Sequence, residues 1–350
     1  MSILFAILLF SLLIFVHELG HFIAAKLSGV QVNEFAMFMG PALVKWGKGE
    51  SQYSIRCIPI GGYCAMEGED ADTDNPRSFQ KAAWWKRLII LVAGSAMNFV
   101  AGLLLLTIVF APAKNIVVPV IGSVEPGCTV VSENGLQIGD RILEVDGEKI
   151  YVQSNFTMML TLNPGDIHDI VVERNGEKVM LDDLYMEKHT FEEGEAPRFG
   201  FSFITEEATF SSKMGYIWNT AIDTIRTVRL SLQMLITGQA GLKDMSGPVG
   251  IVQIMSETAA ASDTRLDALM NMLYFGGFIA INLAVMNLLP IPALDGGRVV
   301  GLLLITAIEA VTRRKIDPKY EGYIHGAGMV LLLALMAIIM FKDIFVIFKG

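Results

Sequence analysis

Four stretches of this 350-residue chain are apolar for long enough to cross a bilayer as helices. A hydrocarbon core of roughly 30 Å needs about 20 apolar residues in helical form. Residues 3–27, 88–111, 266–289 and 324–348 meet that length. Residues 299–311 are apolar for too short a run and read as a helix near one membrane face. Residues 216–236 carry Ile217, Ala221, Ile225, Val228, Leu232 and Leu235 on one helical stripe, with Arg226 and Arg229 breaking the other side. That pattern fits an interfacial helix or a helix packed on a soluble domain. Between the second and third spans the period changes. Short apolar runs at 117–124, 141–145, 169–172 and 179–181 alternate with breaks at Pro126-Gly127, Asp146-Gly147, Asn163-Pro164-Gly165 and Asn175-Gly176. This is the pattern of a small, mostly β domain. The expected architecture is a polytopic α-helical membrane protein with four transmembrane helices and an inserted β-rich domain. Its parts are 1–112 (first membrane half), 113–210 (insert), 211–265 (interfacial or linker helix) and 266–350 (second membrane half).

Composition agrees with that pattern. Hydrophobic residues make up 53% and charged residues 18%, against about 25% charged in an ordinary soluble domain. Disorder, a coiled coil and a disulfide scaffold are excluded, and the net charge of −9 argues against a nucleic-acid partner. The insert is acidic: residues 113–213 hold 18 acidic and 8 basic side chains. Basic residues cluster in the other two loops, at Lys45, Lys48, Arg56, Arg77, Lys81, Lys86 and Arg87, and at Arg298, Arg313, Arg314, Lys315 and Lys319. Such loops stay cytoplasmic, so the insert and both termini are expected outside a bacterial plasma membrane. The first apolar stretch lacks a basic leader and a small-residue cleavage site, so it reads as a span rather than a signal peptide. Cys57 and Cys64 could pair or bind metal, or simply pack.

The first span contains His17-Glu18-Leu19-Gly20-His21. On a helix, residues i and i+4 share a face, so the two imidazoles can hold one zinc ion. The glutamate after the first histidine can then act as general base toward a water that the metal activates. Ionisable side chains within a span are costly and mark function by default. The alternative is a polar cluster that merely holds helices together. A catalytic zinc takes a third protein ligand. The best candidate is Asp295, in Asn287-Leu-Leu-Pro-Ile-Pro-Ala-Leu-Asp-Gly-Gly297. Prolines and glycines stop the third span there, and irregular backbone at membrane depth needs protein or a wet cavity around it. An ordinary helix-ending turn is the competing reading, and Glu309 is a weaker ligand candidate, facing the cytoplasmic side. His17 lies roughly 21 Å into the first span and the prolines about 30 Å into the third, so both arrive in the cytoplasmic half of the bilayer.

These motifs resemble those of the site-2 protease family of intramembrane zinc metalloproteases, in its regulator-of-sigma-E protease (RseP-type) branch. The resemblance covers most of the chain. It rests on HELGH, on the proline-rich segment leading to LDGG, on Pro59-Ile-Gly-Gly-Tyr63, on Gly94-Ser-Ala-Met-Asn98 and on Ser246-Gly-Pro-Val-Gly250. It implies one Zn2+ held by His17, His21 and Asp295, with Glu18 as catalytic base. It implies that Asn287 helps hold substrate or stabilise the oxyanion, and that Gly61 and Gly62 mark a membrane-associated β-hairpin beside the site. Asn98 reads either as support for the substrate or oxyanion or, with Gly94, as a close helix contact; Asn287 reads equally as the end of a span. Gly61-Gly62 by itself reads as a tight hairpin turn between Ile58 and Tyr63. The implied activity is cleavage of transmembrane segments in regulated intramembrane proteolysis, on substrates such as anti-sigma factors or remnant signal peptides. Within the insert, Leu136-Gln-Ile-Gly-Asp-Arg-Ile-Leu-Glu-Val-Asp-Gly147 resembles a PDZ domain. Such a domain could bind peptide termini by strand addition or act as a size filter. There is room for one, where some relatives carry a tandem pair. A metal-ion transporter would show internal repeats, and a non-catalytic PDZ scaffold would have no use for Glu18.

Overall fold

The computed structural model describes residues 2–69, 73–162, 165–190, 197–241, 245, 247–314 and 319–349. The chain divides into two compact units, Met1–Val109 with Thr227–Gly350, and Phe110–Arg226.

The first unit opens with helix α1 (Ser2–Ser28), followed by strands β1 (Val32–Trp46) and β2 (Gln52–Met66) and helix α2 (Trp84–Phe110). It resumes with the end of α4 (Phe210–Thr237), then α5 (Pro248–Ala260), α6 (Arg265–Asn287), α7 (Asp295–Thr312) and α8 (Lys319–Lys349). Four of these helices are long and apolar enough to span a membrane: Leu4–Ser28, Trp84–Phe110, Arg265–Asn287 and Gly322–Phe345. α7 is not among them, and α5 is a helix that the apolar pattern did not single out. The chain is an integral membrane protein. Only 6% of the apolar window of α8 is buried, against 33% to 39% in the other spans, so α8 is the least covered of the four.

Among the described residues, two clusters of buried side chains help hold this unit together. Ala24, Ala25, Phe35, Ile90, Leu91 and Leu302 join α1, β1, α2 and α7. Ala6, Leu9, Leu13, Met255, Met272 and Ile279 join α1, α5 and α6. α6 starts where Thr264 accepts the amide of Asp267 at 3.1 Å, satisfying an otherwise orphaned N–H. The first turn of α5 is capped from another helix: buried Asp343 of α8 accepts the amides of Gly247 and Gly250 at 2.9 and 3.0 Å.

The β1–β2 pair is folded more tightly than one hairpin. Val32 to Met37 lies opposite Gly62 to Met66 on one edge and, from Glu34 on, opposite Gln52 to Ile55 on the other. Ala42 to Trp46 lies opposite Tyr53 to Arg56. The chain reverses through Phe38 (φ 71°) and Gly40 (φ 84°), and again before Gly61 (φ 79°). Gly61-Gly62 is therefore not a tight hairpin turn. The segments before and after it flank a common strand instead of pairing with each other, and Gly61 supplies the left-handed residue that lets the chain cross. Glu34 accepts from Ser54 and Arg56 at 2.7 and 2.8 Å. Burial alone would raise its carboxyl, but bonds from Ser54, Arg56 and Tyr63 outweigh that and hold it at about 2. Cys57 and Cys64 are free thiols. Cys64 packs in the core, and burial pushes its thiol up.

The second unit is a sheet of order β7-β6-β4-β3-β8, with β5 paired to β4. Its strands are β3 (Asn115–Val124), β4 (Arg141–Val145), β5 (Glu148–Lys149), β6 (Ile167–Arg174), β7 (Glu177–Tyr185) and β8 (Phe201–Glu207). Asp146-Gly147 and Asn175-Gly176 all have positive φ and form two-residue turns joining β4 to β5 and β6 to β7. Helix α3 (Gln153–Leu162) is started by Asn155, whose Oδ1 accepts the amides of Tyr151 and Val152. Its Phe156 is fully buried among Phe199, Phe201 and Phe203. The residues of α4 up to Arg226 belong to this unit, with Ile217 and Ala221 buried.

Buried Asp140 organises the sheet. It accepts a two-pronged contact from Arg174 at 2.8 and 2.7 Å and the amide of Gln137 at 2.8 Å. Removing one partner of such a pair strands the other charge. Asp140→Ala is expected to destabilise this unit by about 3 kcal/mol, on the order of a hundredfold in its opening equilibrium. Amide hydrogen exchange of β4 and β6 checks this: those amides accelerate while those of α1 and α2 keep their protection.

Candidate metal centre

His17 and His21 project from one face of α1. The Nδ1–H of His21 donates to the Ile90 carbonyl of α2 at 2.8 Å, which leaves Nε2 with its lone pair. The two Nε2 atoms lie 3.2 Å apart. α2 comes this close because residue 94 has no side chain. A Cβ there would sit 2.3 Å from His21 Nε2 and 2.7 Å from His17 Cε1.

The third group arrives from the break between α6 and α7. α6 ends at Asn287, and Pro290 and Pro292 prevent its continuation. Ala293 takes a left-handed conformation (φ 84°) and donates its amide to Nδ1 of His325 on α8 at 3.1 Å. The loop folds so closely on the end of α6 that a Cβ at Gly296 would lie 2.2 Å from the Leu288 carbonyl oxygen. Asp295 thereby becomes the first residue of α7. Its Oδ2 lies 3.2 Å from Nε2 of each histidine.

Three ligand atoms thus converge from residues up to 278 positions apart, all within 4.8 Å of one another. The buried Oδ2 of Asp295 has no donor of hydrogen-bond geometry. Lone pairs that face each other without a proton between them repel, and a cation resolves that repulsion. Ligands about 2.0–2.1 Å from a tetrahedral zinc lie about 3.3 Å from one another, which matches the three separations of 3.2 Å. The residues present fit a zinc ion.

His17, Glu18, His21, Asp295, Gly62 and Glu69 line one cavity of about 610 Å3. β2 passes beside Glu18: a Cβ at Gly62 would be 3.3 Å from Glu18 Cγ. Gly61 packs on Met39 instead. The amide nitrogens of Asn98 and Asn287 stand 3.4 and 3.5 Å from His17 Nδ1. Glu309 is not part of the cluster. α7 is continuous from Asp295 to Thr312 and carries Glu309 about 21 Å along the axis from Asp295.

The apolar pattern and the motifs did not point to Glu69, Arg298, His325 or the Ile90 carbonyl. Glu69 and Arg298 form an ion pair at the cavity wall. The one signal for Arg298 is its position three residues after Asp295, on the same face of α7.

The sequence profile of peptidase family M50 matches residues 5–335. The chain belongs to peptidase family M50. It is a metalloprotease. A protein of Clostridium acetobutylicum, provisionally named a zinc metalloprotease, is 36% identical over 98% of this chain and 97% of its own length. One from Clostridium perfringens with the same provisional name is 35% identical over 98% of each chain. The regulator of sigma-W protease RasP of Bacillus subtilis is 26% identical over 97% of each chain. The M50 assignment gives the convergent cluster on α1 and α7 its chemical context, since a metallopeptidase needs a ligand set of this type and a base beside it.

Proposed function

We propose that this M50 protein hydrolyses peptide bonds within the transmembrane segments of other membrane proteins. The observation that carries the reading is the meeting of His17, His21 and Asp295 at 3.2 Å on helices that are themselves apolar spans or adjoin one. The cofactor is zinc, with those three residues as its ligands. When bound, it supplies a Lewis acid that polarises the scissile carbonyl and activates water near neutral pH. Glu18 takes the proton of the attacking water and returns it to the leaving amine. A transmembrane helix hides its carbonyls in hydrogen bonds, so the substrate must first unwind. Gly61 and Gly62 belong to the β2 strand that receives the extended segment. Asn287, half-buried at the end of α6, holds it or donates to the developing oxyanion.

The charge asymmetry of the loops supports a topology with the insert and both termini outside a bacterial plasma membrane and the catalytic site toward the cytoplasm. The insert is a single PDZ-like domain, which receives peptide ends or filters substrates by size. β8, at the end of the sheet order, offers an unpaired edge for strand addition. The similarity to RasP supports a role in sigma-factor regulation, with an anti-sigma factor as one substrate class and remnant signal peptides as another.

The test uses the full chain in detergent. The purified protein is expected to hold about one zinc ion and to cut a model transmembrane peptide. A chelator should abolish the cut and added zinc restore it. Asp295→Ala should lose both zinc and cleavage. Chelator-resistant cleavage, or an Asp295→Ala protein that keeps its zinc, would overturn the assignment.

A further inference from the structure

The two histidine rings are held differently. His21 gives its Nδ1 proton to a main-chain carbonyl. His17 has no main-chain partner for Nδ1 among the described hydrogen bonds, and meets two side-chain amides there. Of these, Asn98 is the deeper, 1% exposed on α2. Its Nδ2 faces the ring at 3.4 Å, while its Oδ1 is buried without a donor. This arrangement is self-defeating in a metal site. If the Asn98 N–H donates to Nδ1, the ring proton of His17 must sit on Nε2, the atom that faces Asp295 and His21. The oxygen of Asn98 then stays buried and unpaired, which costs free energy with no return. Half a turn of the carboxamide gives the oxygen the Nδ1–H of His17 as its donor and leaves the lone pair of His17 on Nε2. The oxygen and nitrogen of an amide have nearly the same shape, so the turn needs no other movement.

We propose that Asn98 is a positioning residue for the metal, its Oδ1 accepting the Nδ1–H of His17 and so fixing the tautomer that leaves Nε2 for zinc. Ligating histidines commonly need such an acceptor on the second ring nitrogen. The proposal separates the roles of the two asparagines. The Asn98 oxygen, which has no other donor among the described residues, serves the ring, and half-buried Asn287 is left for the substrate. It also assigns the end of the Gly94–Asn98 segment a chemical task beyond helix packing.

This inference rests on the metalloprotease reading, and one series of measurements separates the two. Zinc affinity by chelator competition and cleavage of a model transmembrane peptide are measured for the wild-type full chain, Asn98→Leu, Asn98→Asp and Asn287→Leu. A wild-type protein without zinc or cleavage would remove the metalloprotease reading itself. With that in place, Asn98→Leu, which keeps the branched shape and removes the acceptor, is expected to weaken zinc binding by about 10–100-fold. Asn98→Asp, an acceptor only, is expected to return it to within a few-fold of wild type. Asn287→Leu should lose cleavage while keeping zinc. The inference is overturned if Asn98→Leu binds zinc as wild type does, or if Asn98→Asp binds as weakly as the leucine variant. Should the leucine variant fail to fold, Asn98→Asp decides alone. An acceptor-only side chain keeps zinc if the oxygen faces Nδ1, and loses it if the amide N–H does.

Discussion

Glu18→Gln is expected to lower the rate of peptide cleavage by about a thousandfold and to leave bound zinc unchanged. The substitution keeps shape and removes the ability to take a proton, and a positioned general base contributes roughly 10²–10⁴-fold. Zinc should stay because Glu18 is not among the converging groups, which are His17, His21 and Asp295. Glu18 lines the same cavity, next to the strand at Gly62. A base in that place acts on the attacking water and touches neither the ligand set nor the bulk of the substrate. The loss should therefore appear in kcat, with KM for a transmembrane peptide little altered. Single-turnover cleavage and elemental analysis of the same preparation provide both readings. A Glu18→Gln protein that cuts at the wild-type rate would remove the glutamate from the mechanism. One that had lost its zinc would show instead that the glutamate supports the metal.

The features legible in the sequence are those that depend on near neighbours. Spans show themselves as long apolar runs, and four of the helices found here coincide with them. His17 and His21 are read together because a helix turns once in 3.6 residues, and Asp295 stands out because two prolines and two glycines surround it at the end of a span. The turns at Asp146-Gly147 and Asn175-Gly176 announce themselves through residues that tolerate positive φ. What stayed hidden depends on distant pairs. Gly61-Gly62 looks locally like a hairpin turn, because nothing in those two residues says that Val32 to Met37 will run between the flanking segments. The Ile90 carbonyl that orients His21 lies 69 positions away and carries no side-chain mark at all. The ion pair of Glu69 with Arg298 joins a loop after the sheet to the start of α7, and only the folded chain brings them together. α5 was missed for a different reason: it is a helix of 13 residues, well short of a span.

Gly94→Ala is expected to disable the site as thoroughly as loss of a ligand, although residue 94 donates nothing to a metal. The added Cβ would lie 2.3 Å from His21 Nε2 and 2.7 Å from His17 Cε1, far inside van der Waals contact. Neither ring is a loose chain end. His21 is tied to Ile90 on the same helix as Gly94, so pushing α2 away to relieve the clash breaks the bond that fixes the ring. Keeping α2 in place moves the imidazoles by the order of 1 Å instead, and a misplacement of that size costs about a hundredfold in rate. Cleavage should fall by that factor or more, with zinc affinity falling alongside it, because both Nε2 atoms leave their 3.2 Å separations from Asp295. Gly102→Ala is the control for helix packing alone. Its Cβ would meet Ile281 Cγ1 at 2.5 Å on α6, two turns of α2 beyond the histidines. It should lower thermal stability while the folded fraction binds zinc as the wild type does. If the folded Gly94→Ala protein binds zinc with undiminished affinity, the close approach of α2 to the two histidines is not what shapes the centre.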